Sequence, residues 1–123
     1  MVHDYQVTGL VIGCAIKVHK DLGPGLKEDS YVNALCEGLA RDDIKYARQR
    51  TFPVVYQGVR VGKYRPDLIV ENTVVVEVKS VDRLIPVFTS QVISYLKITN
   101  LRVGLILNFN TRRMADGIKR VVR

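Results

Sequence analysis

The stretch VVVEVKSV, residues 74–81, decides how this chain folds. It is a run of β-branched residues, the composition of a buried strand, interrupted by a carboxylate and an ammonium two positions apart. Side chains alternate across a strand, so Glu77 and Lys79 share one face with Val75 and Val81. An ion taken out of water must be paired, neutralised or bound to a metal, so both charges need a reason. The segment YRPDLIV, residues 64–70, has the same strand character, and Glu71-Asn72-Thr73 between the two reads as a turn. A three-residue connection sets Val70 opposite Val74 and, counting outward, Asp67 opposite Glu77, with β-carbons about 5 Å apart. A two-residue turn would slip the pairing by one and send Asp67 to the other face. Two facing carboxylates repel unless a cation lies between them, and a divalent metal would supply it.

Outward from this hairpin the chain reads as a mixed α/β domain. Val7, Leu10, Val11, Cys14 and Val18 recur at helical spacing, which predicts a helix from about Asp4 to Lys20, stopped by Leu22-Gly23-Pro24-Gly25. A second helix carries Tyr31, Leu35 and Leu39 on one line and ends near residues 41–43. FPVVYQ (52–57), VRVGKY (59–64) and DLIV (67–70) have strand character and read as a meander, with a turn at Gln57-Gly58. Pro66 removes a backbone donor, which suggests an edge position or a local bulge. Residues 86–98 return to helical spacing with Pro86 in the first turn. LRVGLILNF (101–109) is a buried strand, and GIKRVVR (117–123) reads as an edge strand or a helical turn.

At 123 residues, without repeats or linkers, the chain forms one domain, residues 1–123. No apolar run reaches the length of a membrane span and MVHDYQ lacks signal-peptide character, so the expected compartment is the cytoplasm and no membrane partner is expected. Nineteen Lys and Arg against twelve Asp and Glu give a net charge of +7, which draws a domain toward a polyanion. Cys14 and Cys36 read as buried thiols. With only His3 and His19 beside them and no CxxC or HxxxH pair, a zinc site is disfavoured. Gly23-Pro24-Gly25 follows a helix and lacks the GK[ST] of a P-loop, so it reads as an interhelical turn and not a phosphate cradle.

Three further residues join Asp67, Glu77 and Lys79 as candidates. Glu28 lies one helical turn before Tyr31 and two before Leu35, on the stripe expected to face the core; the plainer reading is a first-turn acid favoured by the helix dipole. Gln91 and Tyr95 are i and i+4 on the third helix and share a face from which both can hydrogen-bond into a site beneath.

RPD at 65–67 followed by Glu77-Val78-Lys79 resembles the core motif of the PD-(D/E)XK nuclease superfamily. GLKEDSY, residues 25–31, is similar to the signature of its GxxExxY family, with Gly25, Glu28 and Tyr31 at the matching positions. QVISY, residues 91–95, resembles the QxxxY motif of the RecB-like branch. His19 with LGPGL, YLK at 95–97, NF at 108–109 and DGIKR at 116–120 extend the resemblance over nearly the whole chain. The resemblance implies a restriction-endonuclease-like core, a mixed central sheet flanked by helices, and a Mg²⁺- or Mn²⁺-dependent deoxyribonuclease acting on phosphodiester bonds. It implies that Asp67, Glu77 and the Val78 carbonyl hold the metal with Glu28 completing the shell, that Lys79 acts on the water and phosphate, and that Gln91 and Tyr95 support it. The expected partner is nucleic acid, DNA before RNA, and a homodimer is compatible with the sequence. Two other readings compete: a nucleic-acid-binding module on the same fold with catalysis lost, and an interaction protein in which Glu77 and Lys79 form a buried ion pair.

Overall fold

The structure is a computed structural model and describes residues 3–123. Helices α1 (Asp4–Leu22) and α2 (Glu28–Arg41) precede five strands, β1 (Tyr46–Arg48), β2 (Phe52–Tyr56), β3 (Val59–Tyr64), β4 (Leu68–Val70) and β5 (Val74–Lys79). Helix α3 (Pro86–Thr99), β6 (Val103–Asn108), a short 3-10 turn (Met114–Gly117) and β7 (Ile118–Val122) complete the chain. The C-terminal segment thus closes the sheet as a strand, paired antiparallel with β6.

The main sheet has the order β1-β4-β5-β6-β7, with β5 at its centre. Its β5–β6 pair is parallel, as a helical crossover through α3 requires, and the other pairs are antiparallel. Both faces of the centre are covered, which is why β5 is an almost continuous apolar run. Leu68, Val70, Val74, Val76, Val78, Leu105 and Leu107 meet α1 and α2 on one face. Ile69, Val75 and Ile106 meet Val92 and Leu96 of α3 on the other. Gly104 permits the close approach of α3, since a β-carbon there would lie 2.7 Å from Val92 Cγ1. This is the mixed sheet flanked by helices that the sequence led us to expect, and among the described residues no helix is long and apolar enough to cross a membrane.

The hairpin register is the one inferred from the turn. Glu71 and Asn72 both take left-handed backbone (φ 52° and 53°), the Thr73 amide donates to the Val70 carbonyl at 3.0 Å, and Val70 pairs with Val74.

Two expectations change. The strands before β4 are not a continuous meander: β2 and β3 form a separate two-stranded sheet, and β4 pairs instead with β1. Pro66 is the physical reason. It has no N–H to donate, so the ladder breaks over Arg65-Pro66-Asp67 and the chain changes sheet there, where an edge or a bulge was expected. Strand β1 escapes sequence reading because three residues carry no readable alternation. Cys14 and Cys36 are unbridged and buried, and burial pushes the Cys14 thiol above its ordinary pKa, which keeps it protonated.

Candidate active site

Strand β5 delivers Glu77 and Lys79 to the α3 face at the strand's far end, beyond the last β4–β5 pair, Leu68 with Val76. One step further out, Asp67 faces Glu77. With no ladder to join, Asp67 uses its side chain: Oδ2 accepts from the Val78 amide at 2.8 Å. A carboxylate thereby continues the strand pairing where Pro66 ended it.

Glu77 is largely buried, and burial first, then the charge of Asp67, raise its pKa to about 7. The Tyr64 hydroxyl, the charge of Lys79 and the Asp67 amide oppose the rise. Asp67 is raised too, by burial and by Glu28, against the pull of the Val78 amide, Lys79 and Arg48. The pair therefore behaves as two crowded acids in want of a cation. Lys79 does not neutralise them by contact. Among the described residues the ion pairs are Arg41–Glu37 and Arg113–Asp116, and the Lys79 ammonium rests over the Phe88 ring, 4.5 Å from its centroid.

A family model described as the PD-(D/E)XK nuclease superfamily matches residues 5–121. The chain belongs to that superfamily. No curated protein and no solved structure matches it. Asp67 lies just before β4, and Glu77 and Lys79 lie at the far end of β5, beyond the last β4–β5 pair.

The remaining candidates are distributed differently from expectation. Glu28 does not face the core. It is the first residue of α2 and exposed, and its Oε2 accepts from the Ser80 amide at 3.2 Å. The helical stripe is real from Tyr31 onward, but its N-terminal end overhangs the sheet, so Glu28 reaches the rim of β5 from outside. The link is doubled by Ser80 Oγ donating to the Leu26 carbonyl at 2.7 Å. Between the start of α2 and Ser80 opens a hollow of about 600 Å³, with Asn110 on its wall. Gln91 is exposed and makes no hydrogen bond to the site among the described residues, although Phe88 and Tyr95, one turn to either side on the same helix face, both touch it. Tyr95 is half-buried and stacks on Tyr64, ring centroids 3.8 Å apart and planes 13° from parallel. Among the described residues no three histidine, cysteine or acidic side chains close into a ready-made metal cage; the floor is the Asp67–Glu77 pair.

Tyr64 is the residue that sequence reading missed. It is 8% exposed, its hydroxyl donates to Glu77 Oε1, and its own pKa is driven well up by burial and by Glu77. No local sequence signal marks it: only in the fold does Tyr64, at the end of an exposed strand, become that strand's one buried side chain. Tyr64→Phe keeps the stack on Tyr95 and removes the donor, so the Glu77 carboxyl should titrate above its value of about 7. A carbon-detected NMR titration reads this, and a Glu77 pKa at or below the parent's would contradict the assignment.

Proposed function

We propose that the protein is a Mg²⁺- or Mn²⁺-dependent deoxyribonuclease of the GxxExxY type, hydrolysing phosphodiester bonds. The observation that carries this reading is the crowded Asp67–Glu77 pair beside a lysine that does not pair with either acid. The donor set fits a hard divalent cation, since every candidate ligand is oxygen and the two carboxylates repel without one. Asp67, Glu77 and the Val78 carbonyl would hold it, with Glu28 contributing from the rim through water. When bound, such a cation supplies positive charge against the scissile phosphate and acidifies water.

The chain's own groups do the rest. Lys79 carries a compact charge on a flexible stem, suited to move from Phe88 to the phosphate and to orient the attacking water. Tyr64 keeps one oxygen of Glu77 engaged and so fixes the orientation of the other. Tyr95 backs Tyr64, and Gln91 on the rim of α3 is assigned to orient the phosphate as DNA arrives.

With a net charge of +7, DNA affinity should come largely from phosphate contacts. We expect duplex binding to weaken about tenfold or more between ~50 and ~200 mM salt, with slight sequence preference. Fluorescence anisotropy checks this, and an affinity indifferent to salt would contradict the electrostatic account. Cleavage of labelled DNA and RNA with Mg²⁺ or Mn²⁺ tests the activity itself; inactivity on every substrate would leave the binding-module reading.

A further inference from the structure

The two-stranded sheet β2–β3 lies outside the main sheet, and its far half stands exposed among the described residues. Val55, Tyr56, Val59 and Val61 are 58–63% exposed, on a segment where such residues would ordinarily be covered. Alternation along β2 places Phe52, Val54 and Tyr56 on one face, and the pairs Phe52–Tyr64 and Tyr56–Val59 put Val59 and Tyr64 there too. Val55 and Arg60 lie on the opposite face, with a bulge beside them. The charges of this arm are all of one sign: residues 50–65 contain Arg50, Arg60, Lys63 and Arg65 and no Asp or Glu. None of the four is in an ion pair among the described residues. The base of the arm is anchored at the chemistry, since Tyr64 is the donor to Glu77.

We infer that the β2–β3 ribbon is a DNA-gripping arm whose tip, Tyr56 and Val59, enters a groove of duplex DNA beside the cleavage site. This rests on the nuclease reading above and adds to it the form of the substrate. A second copy of the chain is a poorer occupant, because a two-fold contact between ribbons would set these cations against their own copies. An RNA duplex is poorer too. A two-stranded ribbon fits the major groove of B-form DNA, about 12 Å wide, whereas the A-form major groove is too narrow and deep to admit it. The bulged, twisted ribbon suits such a groove, with Arg60 and Lys63 available to the phosphates on its walls. From Tyr64 to Val59 is five residue steps along β3, about 17 Å, so the tip grips the duplex within about five base pairs of the cut.

The test uses the full chain carrying Glu77→Gln, so that DNA is bound and not cut. Into it are placed Tyr56→Ser with Val59→Ser, or separately Arg60→Glu, which keeps the apolar residues and the turn should the first variant fold poorly. Anisotropy with a DNA duplex and an RNA duplex of the same sequence is the readout, with sedimentation of each protein. The expected result is a loss of about tenfold on the DNA duplex for Tyr56→Ser with Val59→Ser and little change on the RNA duplex. Arg60→Glu should also weaken the DNA duplex. Unchanged DNA affinity in both variants, or equal losses on DNA and RNA, would overturn the arm. So would a parental dimer that the variants dissociate, since the ribbon would then be an interface between copies. Failure of the nuclease reading shows separately, as a chain with Glu77 intact that binds duplex DNA through the arm yet cleaves neither DNA nor RNA with Mg²⁺ or Mn²⁺; an unmutated arm with no affinity for duplex DNA would overturn the arm.

Discussion

Replacing Lys79 with Met is expected to slow cleavage by about 100-fold or more while leaving Mn²⁺ binding and DNA binding near parental levels. Methionine keeps most of the aliphatic stem, so the contact with Phe88 survives and only the charge is lost. Metal binding depends on the carboxylates, and DNA binding on the remaining basic surface. The missing ammonium is therefore felt where negative charge develops, at the phosphate during the chemical step. Calorimetry with Mn²⁺ gives the first quantity and single-turnover cleavage the second. Cleavage at the parental rate would make Lys79 a structural residue and withdraw the role assigned to it. The structure sharpens this experiment. Had Lys79 been clamped between Asp67 and Glu77, its removal would also have upset the acids; resting over Phe88, it can be removed with less disturbance.

Glu77→Gln should abolish most metal binding and cleavage and, without metal, make the protein more stable at neutral pH. An amide keeps the shape and removes the charge that burial and Asp67 disfavour. The sign follows from linkage. Folded Glu77 holds its proton up to about pH 7, whereas the unfolded side chain releases it near 4.5, so the folded state binds the extra proton between these values. Stability therefore falls as pH rises through this window, by about 3 kcal/mol from this group when the shift is fully expressed. In Glu77→Gln this part of the decline should vanish, and in the parent saturating Mn²⁺ should offset it at pH 7. Urea unfolding of both proteins across the window measures the difference. A parent whose metal-free stability is flat from pH 4.5 to 7 would falsify a Glu77 carboxyl raised by burial and by Asp67.

The parts of this fold that could be read from sequence are those with strong period or chemical necessity. The turn at residues 71–73 was legible because its length alone decides whether Asp67 meets Glu77, and Val70 does pair with Val74. The apolar run of β5 announced burial on both faces, and Pro86 marked the first turn of α3. Elsewhere local signals were outvoted by long-range ones. Pro66 was recognised as a disturbance, but whether the chain would bulge or leave the sheet depended on β1, a three-residue strand without a pattern. Glu28 obeyed its helical period and still ended up outside, because period gives a face and says nothing of where the sheet beneath it stops. Tyr64 was passed over since its importance comes from Tyr95 and Glu77, residues of two other elements.

The end of β5 is tied down from both sides. The Lys79 carbonyl accepts from the Phe109 amide at 3.0 Å, the Val78 amide donates to Asp67, and the Ser80 amide donates to Glu28. Beyond them Asn108 grips Val81, accepting from its amide at 3.1 Å and donating to its carbonyl at 3.0 Å. Each residue from Val78 to Val81 thus has at least one main-chain group held by a neighbour, in a place where strands usually fray. What remains to move at this end is side chain. The stem of Lys79 can leave Phe88 by rotamer changes, which take picoseconds to nanoseconds at exposed positions, whereas the rearrangement of a lid takes microseconds to milliseconds. The backbone beneath the chemistry therefore behaves as a fixed anvil, and time enters through one flexible arm of four carbons.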